Sequence, residues 1–457
     1  MTKEELKNYY HLLTVPFILF TIWLWSFPMY GPLLASTGVN TGDLFLFFLI
    51  SHALGALSYG LIMDFLYKKN FGYKKELITI ISFSFITGFL TVIFPYISAL
   101  YHNIVIAFIG ILSGPLVVFF LYYLSLSVKG ILRGRILGLI FSMAGFLQLI
   151  FLLLPYNNWM FIVNGFLLIS PILFLKNFLK VESQLLEGVK SSVILPETGK
   201  YYWISLLGLV FMFYFGSGLM YNLIYAEIMY IEISSFDIGF LFYPLIVLPA
   251  GYMADRRGRK NLINLGLCFS GLGFLLLLLF EIFYTLPLIL LQSGFAVMDL
   301  FVLLTIIDWA SYFRSRKFVA AGLFINVITI FLSSLPFMGN RVAELIPGRY
   351  WPVIGLILVL LIVPLLNLIK ETSFRRLIKD PPGYRSVGFD VLCDKYSITP
   401  REKEIINLLL EGKDTETITG KLCITYNTLK THLRNIYRKT ETGSQKELIL
   451  FIMERTK

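Results

Sequence analysis

Charged residues are scarce in this sequence. Only 15% of its 457 residues are Asp, Glu, Lys or Arg, whereas 57% are hydrophobic, and the mean hydropathy is +0.76. Soluble globular proteins contain about 25% charged and about 45–50% apolar residues. A wholly water-soluble protein is therefore excluded, because a core of this size cannot bury so many apolar side chains. The composition predicts a protein that uses lipid as part of its solvent.

Cysteine and histidine are also rare, with three and four copies respectively. Cys268, Cys393 and Cys423 lie far apart and show no metal-ligand spacing, so we expect neither a disulfide framework nor a metal site. The sequence contains no recognisable nucleophile motif and no phosphate-binding loop. We therefore expect no catalytic residues and no cofactor, and we do not expect an enzyme.

Apolar runs long enough to cross a bilayer recur throughout residues 1–371. A spanning helix needs about 20 mainly apolar residues. The sequence contains twelve such runs, at about 12–34, 41–64, 76–96, 103–128, 131–154, 159–179, 201–226, 236–254, 261–283, 285–310, 317–338 and 351–370. We predict an all-α, polytopic membrane helix bundle over residues 1–371, with two six-helix halves at about 1–180 and 201–371.

Lys and Arg are unevenly distributed among the loops between these runs. The alternate loops on one side hold only Arg341 and Arg349. The five loops on the other side hold eighteen cations: Lys68, Lys69, Lys74, Lys75, Lys129, Arg133, Arg135, Lys176, Lys180, Lys190, Lys200, Arg256, Arg257, Arg259, Lys260, Arg314, Arg316 and Lys317. Because basic loops remain cytoplasmic, we predict a multi-pass protein of the bacterial cytoplasmic (inner) membrane with both termini in the cytoplasm.

One short motif occurs twice in the membrane region. Gly60-x-x-x-Asp64 and Gly251-x-x-x-Asp255 each precede a basic turn that contains glycine, which indicates duplication of a six-helix half. The second copy resembles the signature loop of the major facilitator superfamily, although Phe65 interrupts the pattern in the first. The resemblance implies a transporter fold in which these loops gate alternating conformations. The predicted gating-loop residues are Gly60, Asp64, Gly251, Asp255, Arg256, Gly258, Arg259 and Lys260. We expect each Asp to pair with cations and with a helix N-terminus.

Few ionisable side chains fall inside the apolar runs. Such groups are costly at lipid depth and are functional by default. Asp299 is the acid that lies well inside a run, and His52 is a polar group that a central cavity would expose. We predict a ligand or gating role for both. For neutral polar residues such as Gln148, a hydrogen bond between helices is the stronger alternative.

The sequence changes character after residue 371. Pro381-Pro382-Gly383 cannot continue a helix, and we assign residues 372–396 to a linker. In residues 397–457, helix-capping residues precede four short amphipathic segments. We predict helices from Pro400 through Leu410, over Thr415–Leu422, over Tyr426–Lys439 and after Ser444, with caps at Thr399, Asp414, Thr425 and Ser444. The second and third helices form a helix-turn-helix.

The third of these helices carries residue types that suit phosphates and base edges. Its predicted DNA-binding face consists of Asn427, Thr428, Lys430, Thr431, Arg434, Arg438 and Lys439. Spacing alone leaves DNA binding and a small basic helical domain equally open. Residues 398–449 resemble the LuxR-type helix-turn-helix, in Thr399-Pro-Arg-Glu402, Leu409-Leu-Glu-Gly412, Thr428-Leu-Lys-Thr-His432 and Asn435-Ile-Tyr-Arg-Lys439. The resemblance implies binding to double-stranded DNA through Lys430, Thr431 and Arg434, and a homodimer formed by the fourth helix. Gly420 departs from the family's usual pattern.

These features predict a membrane-embedded one-component transcription regulator. The transporter-like bundle would sense a small-molecule ligand or a condition of the membrane lipid, and the helix-turn-helix would bind DNA. Two alternatives remain open: a secondary transporter with a regulatory or DNA-binding tail, and an interaction protein whose tail docks another protein. Dependence of uptake on Asp299 would favour the former. Loss of function on replacing apolar residues of the fourth helix, but not Lys430 or Arg434, would favour the latter.

Overall fold

The chain forms two compact units, Lys7–Pro381 and Pro382–Lys457, the second together with Met1–Leu6. We call them the membrane unit and the C-terminal unit and describe each by itself. The computed structural model describes residues 3–29, 32–37, 41–69, 72–152, 154, 157–171, 208–216, 233–279, 285–334, 350–368, 392–393, 396–410 and 414–455. Over these residues the regular structure is helical, and no strand occurs, which confirms the predicted all-α class.

A helix occupies each of the twelve predicted spans of the membrane unit, although some spans extend beyond the described residues. Three helices continue beyond their predicted ends: the second past Asp64 to Lys68, the eighth past residue 254 to Arg257, and the tenth past residue 310 to Phe313. The twelve helices are α1 Lys3–Ser26, α2 Thr41–Lys68, α3 Tyr73–Ile93, α4 His102–Ser127, α5 Arg133–Leu152, α6 Asn158–Ile169, α7 208–216, α8 Ile233–Arg257, α9 Lys260–Leu279, α10 Thr285–Phe313, α11 Arg316–Ser334 and α12 Trp351–Leu368.

Seven helical segments among the described residues are long and apolar enough to cross a membrane. They are Asp43–Tyr67, Tyr73–Tyr96, Ala99–Ser127, Gly130–Phe151, Lys260–Leu279, Thr285–Phe313 and Arg316–Ser333. Large apolar side chains on them remain exposed, such as Phe89 at 52% and Phe108 at 57%. A water-soluble protein does not leave so much apolar surface unpaired. The chain is thus a membrane protein, and the count of twelve spans remains a prediction.

The two halves of the membrane unit pack against each other through α5 with α8 and through α2 with α11. Glycine allows these helices to approach closely. A Cβ on Gly251 of α8 would collide with the Gly134 carbonyl oxygen of α5, and a Cβ on Gly60 of α2 would collide with Ala320 of α11. Small residues serve this purpose in helix pairs within membranes. The glycine of each repeated motif therefore lies in a contact between halves.

The C-terminal unit contains four helices around its own small core. They are α13 Pro400–Leu410, α14 Thr415–Leu422, α15 Tyr426–Thr440 and α16 Gln445–Arg455, within one residue of the predicted starts and ends where these were given. On α13, α15 and α16 buried side chains recur four or seven residues apart and so share one face, as an amphipathic helix requires. They include Ile405 and Leu409, Leu429 and Ile436, and Leu448 and Ile452, together with Ile418 of α14.

Candidate functional site

Local hydrogen bonds fix the helix-turn-helix of the C-terminal unit. The Asp414 carboxylate accepts from the Thr417 backbone N–H at 2.8 Å and starts α14, and the Thr425 hydroxyl accepts from the Thr428 N–H at 3.2 Å and starts α15. Between them Cys423 adopts the left-handed conformation, with φ 51° and ψ 44°. This conformation costs a non-glycine residue about 1–2 kcal/mol. The helix caps at Asp414 and Thr425 and the packing of the two helices in the core therefore stabilise this turn.

Six of the seven predicted DNA-binding residues are exposed on α15: Asn427, Thr428, Lys430, Thr431, Arg434 and Arg438. Within the described residues, Lys430, Arg434 and Arg438 form no ion pair or side-chain hydrogen bond, so their charges face outward. Thr428 and Thr431 are partly engaged, since the Thr431 hydroxyl donates to the Asn427 carbonyl at 3.0 Å and the Thr428 hydroxyl contacts that of Thr425. The exposed face is positively charged along its length.

Lys439 differs from the other six residues. Its ammonium donates to Glu402 Oε2 at 2.6 Å and to the Ser397 carbonyl at 2.7 Å. Glu402 also accepts from the Thr399 N–H at 2.8 Å, which completes the predicted capping box at the start of α13. Burial alone would raise the pKa of the Glu402 carboxyl, but the hydrogen bonds from Lys439 and Thr399 outweigh it and lower the pKa. This geometry gives Lys439 a structural task within the unit.

In the membrane unit both motif aspartates bind the N-terminus of a helix in the other half. Asp255 of α8 accepts from the backbone N–H groups of Gly134 and Arg135, each at 2.9 Å, at the start of α5. Asp64 of α2 accepts from the Arg316 N–H at 3.1 Å and from the Ser315 hydroxyl at the start of α11. Free N–H groups and the helix dipole make a helix N-terminus a site for an anion. The expected pairing with a helix N-terminus therefore occurs in both copies.

Arginines extend each of these contacts into a buried charge network. The first charge network consists of Asp64, Glu76 and Arg316, in which Arg316 donates to both Glu76 oxygens at 2.8 and 2.7 Å. Tyr59, Tyr67 and Tyr123 also donate to Glu76, and the guanidinium of Arg316 lies over the rings of Tyr67 and Tyr122.

The second charge network consists of Arg133, Asp255, Arg259 and Asp308. Arg133 donates to Asp308 Oδ1 at 2.8 Å, and Arg259 lies between Asp308 at 3.1 Å and Asp255 at 3.2 Å. Arg259 also donates to the Gly130 carbonyl at 3.0 Å, and its side chain is fully buried. The Arg135 side chain, 42% exposed, lies 3.6 Å from Asp255 at the edge of this network, so three cations surround two acids.

The structure places the remaining predicted gating residues around the second network. Gly258 ends α8 with φ 95°, a conformation that favours glycine. Arg256 is exposed and lies over the Tyr252 ring, and Lys260 begins α9. Asp64, Gly60, Gly251, Asp255 and Arg256 lie in the last turns of helices and not in loops, because the backbone hydrogen bonding of α2 and α8 continues through them.

Asp299 lies at the middle of α10, where it contacts neighbouring helices of its own half. Its two carboxylate oxygens accept from the Tyr214 hydroxyl of α7 at 2.7 Å and from the Tyr243 hydroxyl of α8 at 3.0 Å. His52 lies elsewhere, in the contact between α2 and α4, where its Nδ1 is 2.9 Å from the Ser113 hydroxyl. Asp299 and His52, which the sequence analysis assigned to one ligand or gating role, therefore lie in different helix contacts. Of these two, Asp299 is partly exposed and His52 is buried.

Sequence reasoning missed four participants of the charge networks. Glu76 and Asp308 were given no role, and Arg133 and Arg316 were counted only as cations that orient the loops. Each arginine is the first residue of its helix, so the side chain folds back beside the N-terminus that binds the motif aspartate. The repeated Arg at the starts of α5 and α11 was a usable signal.

Comparison with known proteins identifies the C-terminal unit. Residues 396–452 match the family described as "Bacterial regulatory proteins, luxR family". The "Monoamine regulon transcriptional regulator" of Klebsiella aerogenes is 42% identical over 52 residues, which are 11% of this chain and 23% of that protein. An HTH-type transcriptional regulator sequence of Aeromonas salmonicida is 43% identical over 63 residues, which are 14% of this chain and 29% of that protein. The chain thus spans less than a third of the length of these relatives.

The membrane unit is similar to a solved transporter. The structure of the proton:xylose symporter XylE of the major facilitator superfamily aligns with a TM-score of 0.55 and 15% sequence identity, and the alignment covers 83% of this chain and all of that one. At this identity the similarity establishes the fold alone. Residues 396–452 are therefore a LuxR-type helix-turn-helix domain, joined in one chain to a membrane unit with the major facilitator fold.

Proposed function

We propose that this chain is a membrane-embedded, one-component transcription regulator. One observation carries the proposal: α15 presents Lys430, Arg434 and Arg438 outward, without a described acidic partner, on a LuxR-type domain fused to a transporter fold. Exposed cations of this kind bind phosphates and read base edges when the helix enters the major groove. The DNA-contacting set is Asn427, Thr428, Lys430, Thr431, Arg434 and Arg438, with Lys439 supporting the domain.

The proposed location follows from the loop charges. Eighteen Lys and Arg residues fall in the five predicted loops of one side, and two fall in the predicted loops of the other. Basic loops remain cytoplasmic, which supports a multi-pass protein of the bacterial inner membrane with both termini in the cytoplasm. DNA and the C-terminal unit then share a compartment. A homodimer through α16 would give two half-sites on DNA.

The two charge networks supply an element that signalling can switch. Both join the first half to the second at the helix ends that the loop charges assign to the cytoplasm, and their arginines Arg133, Arg259 and Arg316 are buried. Separating the halves breaks both sets of bonds together, so the joined and separated arrangements are discrete states. A ligand shifts such an equilibrium only by binding one state better than the other. We propose that ligand binding in the membrane unit changes this equilibrium and thereby the availability of the C-terminal unit for DNA.

Genome-wide recovery of crosslinked DNA with the full-length protein tests this function. The Lys430→Ala/Arg434→Ala double variant removes two cations from α15, and Lys74→Ala/Lys75→Ala removes two exposed cations from the membrane unit as a matched control. We expect discrete sites with the wild type and the control, and their loss in the α15 variant, because a few lost base and phosphate contacts cost about 1–3 kcal/mol each. Recovery of the same sites by all three proteins would refute the assignment of α15.

A secondary transporter with a DNA-binding tail is the second candidate, and Asp299 is the observation that favours it. Transporters bind their substrates near the middle of the bilayer, and Asp299 lies at the middle of α10. Absence of DNA sites in a strain with the protein present in the membrane, together with uptake that is lost in Asp299→Asn, would support the transporter over the regulator.

A further inference from the structure

Asp299 is unlike the other acidic side chains described in the membrane unit. Asp64, Glu76, Asp255 and Asp308 each pair with an arginine, and Asp43 is exposed at the start of α2. Asp299 has only the hydroxyls of Tyr214 and Tyr243, and no Lys, Arg or His among the described residues pairs with it.

The position of Asp299 makes the missing cation significant. The residue is the midpoint of the 29-residue helix α10, and its two partners lie on α7 and α8, so its carboxylate faces the interior of the bundle. It is nevertheless partly exposed. An ionised carboxylate at this depth is costly unless a positive charge approaches it. Two neutral hydroxyl donors orient its oxygens without supplying that charge.

A series of aromatic rings in mutual contact begins at this carboxylate with Tyr243. The ring of Tyr243, which donates to Asp299, meets the ring of Trp25 of α1 edge to face at 5.5 Å. Trp25 in turn stacks on Phe141 of α5 at 5.8 Å. The Gln148 side-chain amide donates to the Trp25 carbonyl at 3.1 Å and ties α1 to α5 at this level. The aromatic residues therefore come from both halves, whereas the carboxylate comes from the second.

A carboxylate beside aromatic faces recognises one chemical class well. The carboxylate attracts a cation, the ring faces attract it further through their quadrupoles, and the ring surfaces accept apolar groups attached to it. An anionic ligand would be repelled by Asp299. A neutral ligand rich in hydroxyl groups would need several polar partners, whereas the half-buried rings of Trp25 and Tyr243 offer ring carbon.

We propose that the membrane unit binds a small organic cation, with the cationic group against Asp299 and the apolar body against Tyr243 and Trp25. The inference deepens the proposed function, on which it rests, by naming the ligand class that the membrane unit senses. Because Trp25 belongs to the first half, and Asp299 and Tyr243 to the second, such a ligand bridges the halves. It thereby acts on the same equilibrium between halves that the two charge networks control.

Ligand binding to the purified full-length protein in lipid nanodiscs tests the proposal. The cationic probes are tetramethylammonium, 2-phenylethylammonium and tetraphenylphosphonium, and 2-phenylethanol and 3-phenylpropanoate provide neutral and anionic analogues of the second. Tryptophan fluorescence and calorimetry give the dissociation constants. We expect saturable binding of at least one aromatic cation, at least about tenfold tighter than either analogue. No saturable binding by any of the three cations, or equal binding by 2-phenylethanol, overturns the proposal.

Variants locate the site. Asp299→Asn keeps the shape and an acceptor for the tyrosines, and we expect it to weaken cation binding at least about tenfold. Asp43→Asn makes the same chemical change at an exposed carboxylate and should leave binding unchanged. Trp25→Leu should weaken binding of the aromatic cations, and Trp25→Phe should restore most of it. Cation binding that persists in Asp299→Asn overturns the proposal. If this variant does not fold, the preference of the wild type for aromatic cations over the neutral and anionic analogues decides whether the proposal stands.

These outcomes are separate from those of the regulator hypothesis. Binding is measured without DNA, so a protein that binds the cations but recovers no DNA sites keeps this inference and loses the regulator assignment. A protein that recovers DNA sites but binds none of the cations keeps the regulator assignment and loses this inference. A thermal stability that depends on pH through Asp299, without cation binding, would identify a proton as the ligand and would overturn the organic-cation proposal.

Discussion

The membrane unit and the C-terminal unit use charge in opposite ways. In the membrane unit the charged side chains at the centre of the second charge network are buried and paired: Arg133, Arg259 and Asp308 are each 3% exposed or less. In the C-terminal unit, Lys430 and Arg434 of α15 are exposed and have no described partner. The difference shows which charges hold the protein together and which remain available for another molecule.

The two units also differ in the range of their polar bonds along the chain. The caps of the C-terminal unit join residues three positions apart, such as Asp414 and Thr417. The membrane networks join residues 175 positions apart, as in Arg133 with Asp308, and 240 apart, as in Arg316 with Glu76. We therefore expect substitutions in the networks to cost more, because each leaves a buried partner that has no other way to satisfy its charge.

The largest effect should come from removing the acid that two arginines share. Asp308→Ala leaves Arg133 and Arg259 buried without their common partner, and we expect a loss of about 3–5 kcal/mol in the free energy of unfolding of the membrane unit. Thermal denaturation of the purified protein, followed by the fraction that remains monodisperse, measures this loss.

The matched control is Asp43→Asn, which alters an exposed acid and should change the midpoint little. The C-terminal unit should retain its own unfolding transition in both variants. Equal midpoints for Asp308→Ala and the control would show that the second charge network does not stabilise the joined halves.

A smaller effect is expected from a tyrosine hydroxyl of the first charge network. Tyr123 donates to Glu76 at 2.6 Å and accepts from Arg316 at 2.8 Å, and Tyr123→Phe removes both bonds while the ring remains. Hydrogen bonds to charged groups contribute about 1.5–3 kcal/mol, and we expect a loss in that range by the same denaturation measurement. Tyr96→Phe, at an exposed tyrosine, is the control. A loss of stability no larger than that of the control would mean that the ion pair of Glu76 and Arg316 is as stable without the Tyr123 hydroxyl.

The same contrast in range explains how much of the structure could be predicted from the sequence. Caps such as Asp414 and Thr425 act over one helical turn, and the helices of the C-terminal unit consequently begin where the local pattern places them. The membrane helices follow from apolar length, and the contacts of Asp64 and Asp255 with a helix N-terminus follow from the dipole. Which arginine meets which acid depends on how distant helices cross, and the role of Glu76 was therefore missed.

A third prediction concerns the pH dependence of the C-terminal unit. The pKa of Glu402 is lowered in the folded state, so the unfolded chain binds the proton more readily, and acid favours unfolding. The contribution is fully present above the ordinary value of 4.5 and is lost as the pH falls from there through the lowered folded value. For the fragment Pro382–Lys457, we expect Glu402→Gln to lower the free energy of unfolding by about 1 kcal/mol at neutral pH.

Circular dichroism during thermal melting measures this difference, which should shrink as the pH falls below 4.5. Glu404→Gln neutralises an exposed acid on the same helix and is the control. A difference between wild type and Glu402→Gln that is the same at every pH would indicate that shape, and not the charge paired with Lys439, determines the contribution.

The smallest expected effect is a gain in stability at Gly420. This glycine lies inside α14 without requiring a special conformation, and a Cβ there would have no atom within 4 Å. Alanine is favoured over glycine inside a helix by up to about 1 kcal/mol, chiefly because glycine loses more backbone freedom on folding. We expect Gly420→Ala to raise the free energy of unfolding of Pro382–Lys457 by this amount and to leave the melting of the membrane unit unchanged.

The comparable change Gly251→Ala places a methyl group against the Gly134 carbonyl oxygen and should instead destabilise the membrane unit. A loss of stability in Gly420→Ala would contradict this prediction, because neither helix propensity nor the open space around Gly420 accounts for one.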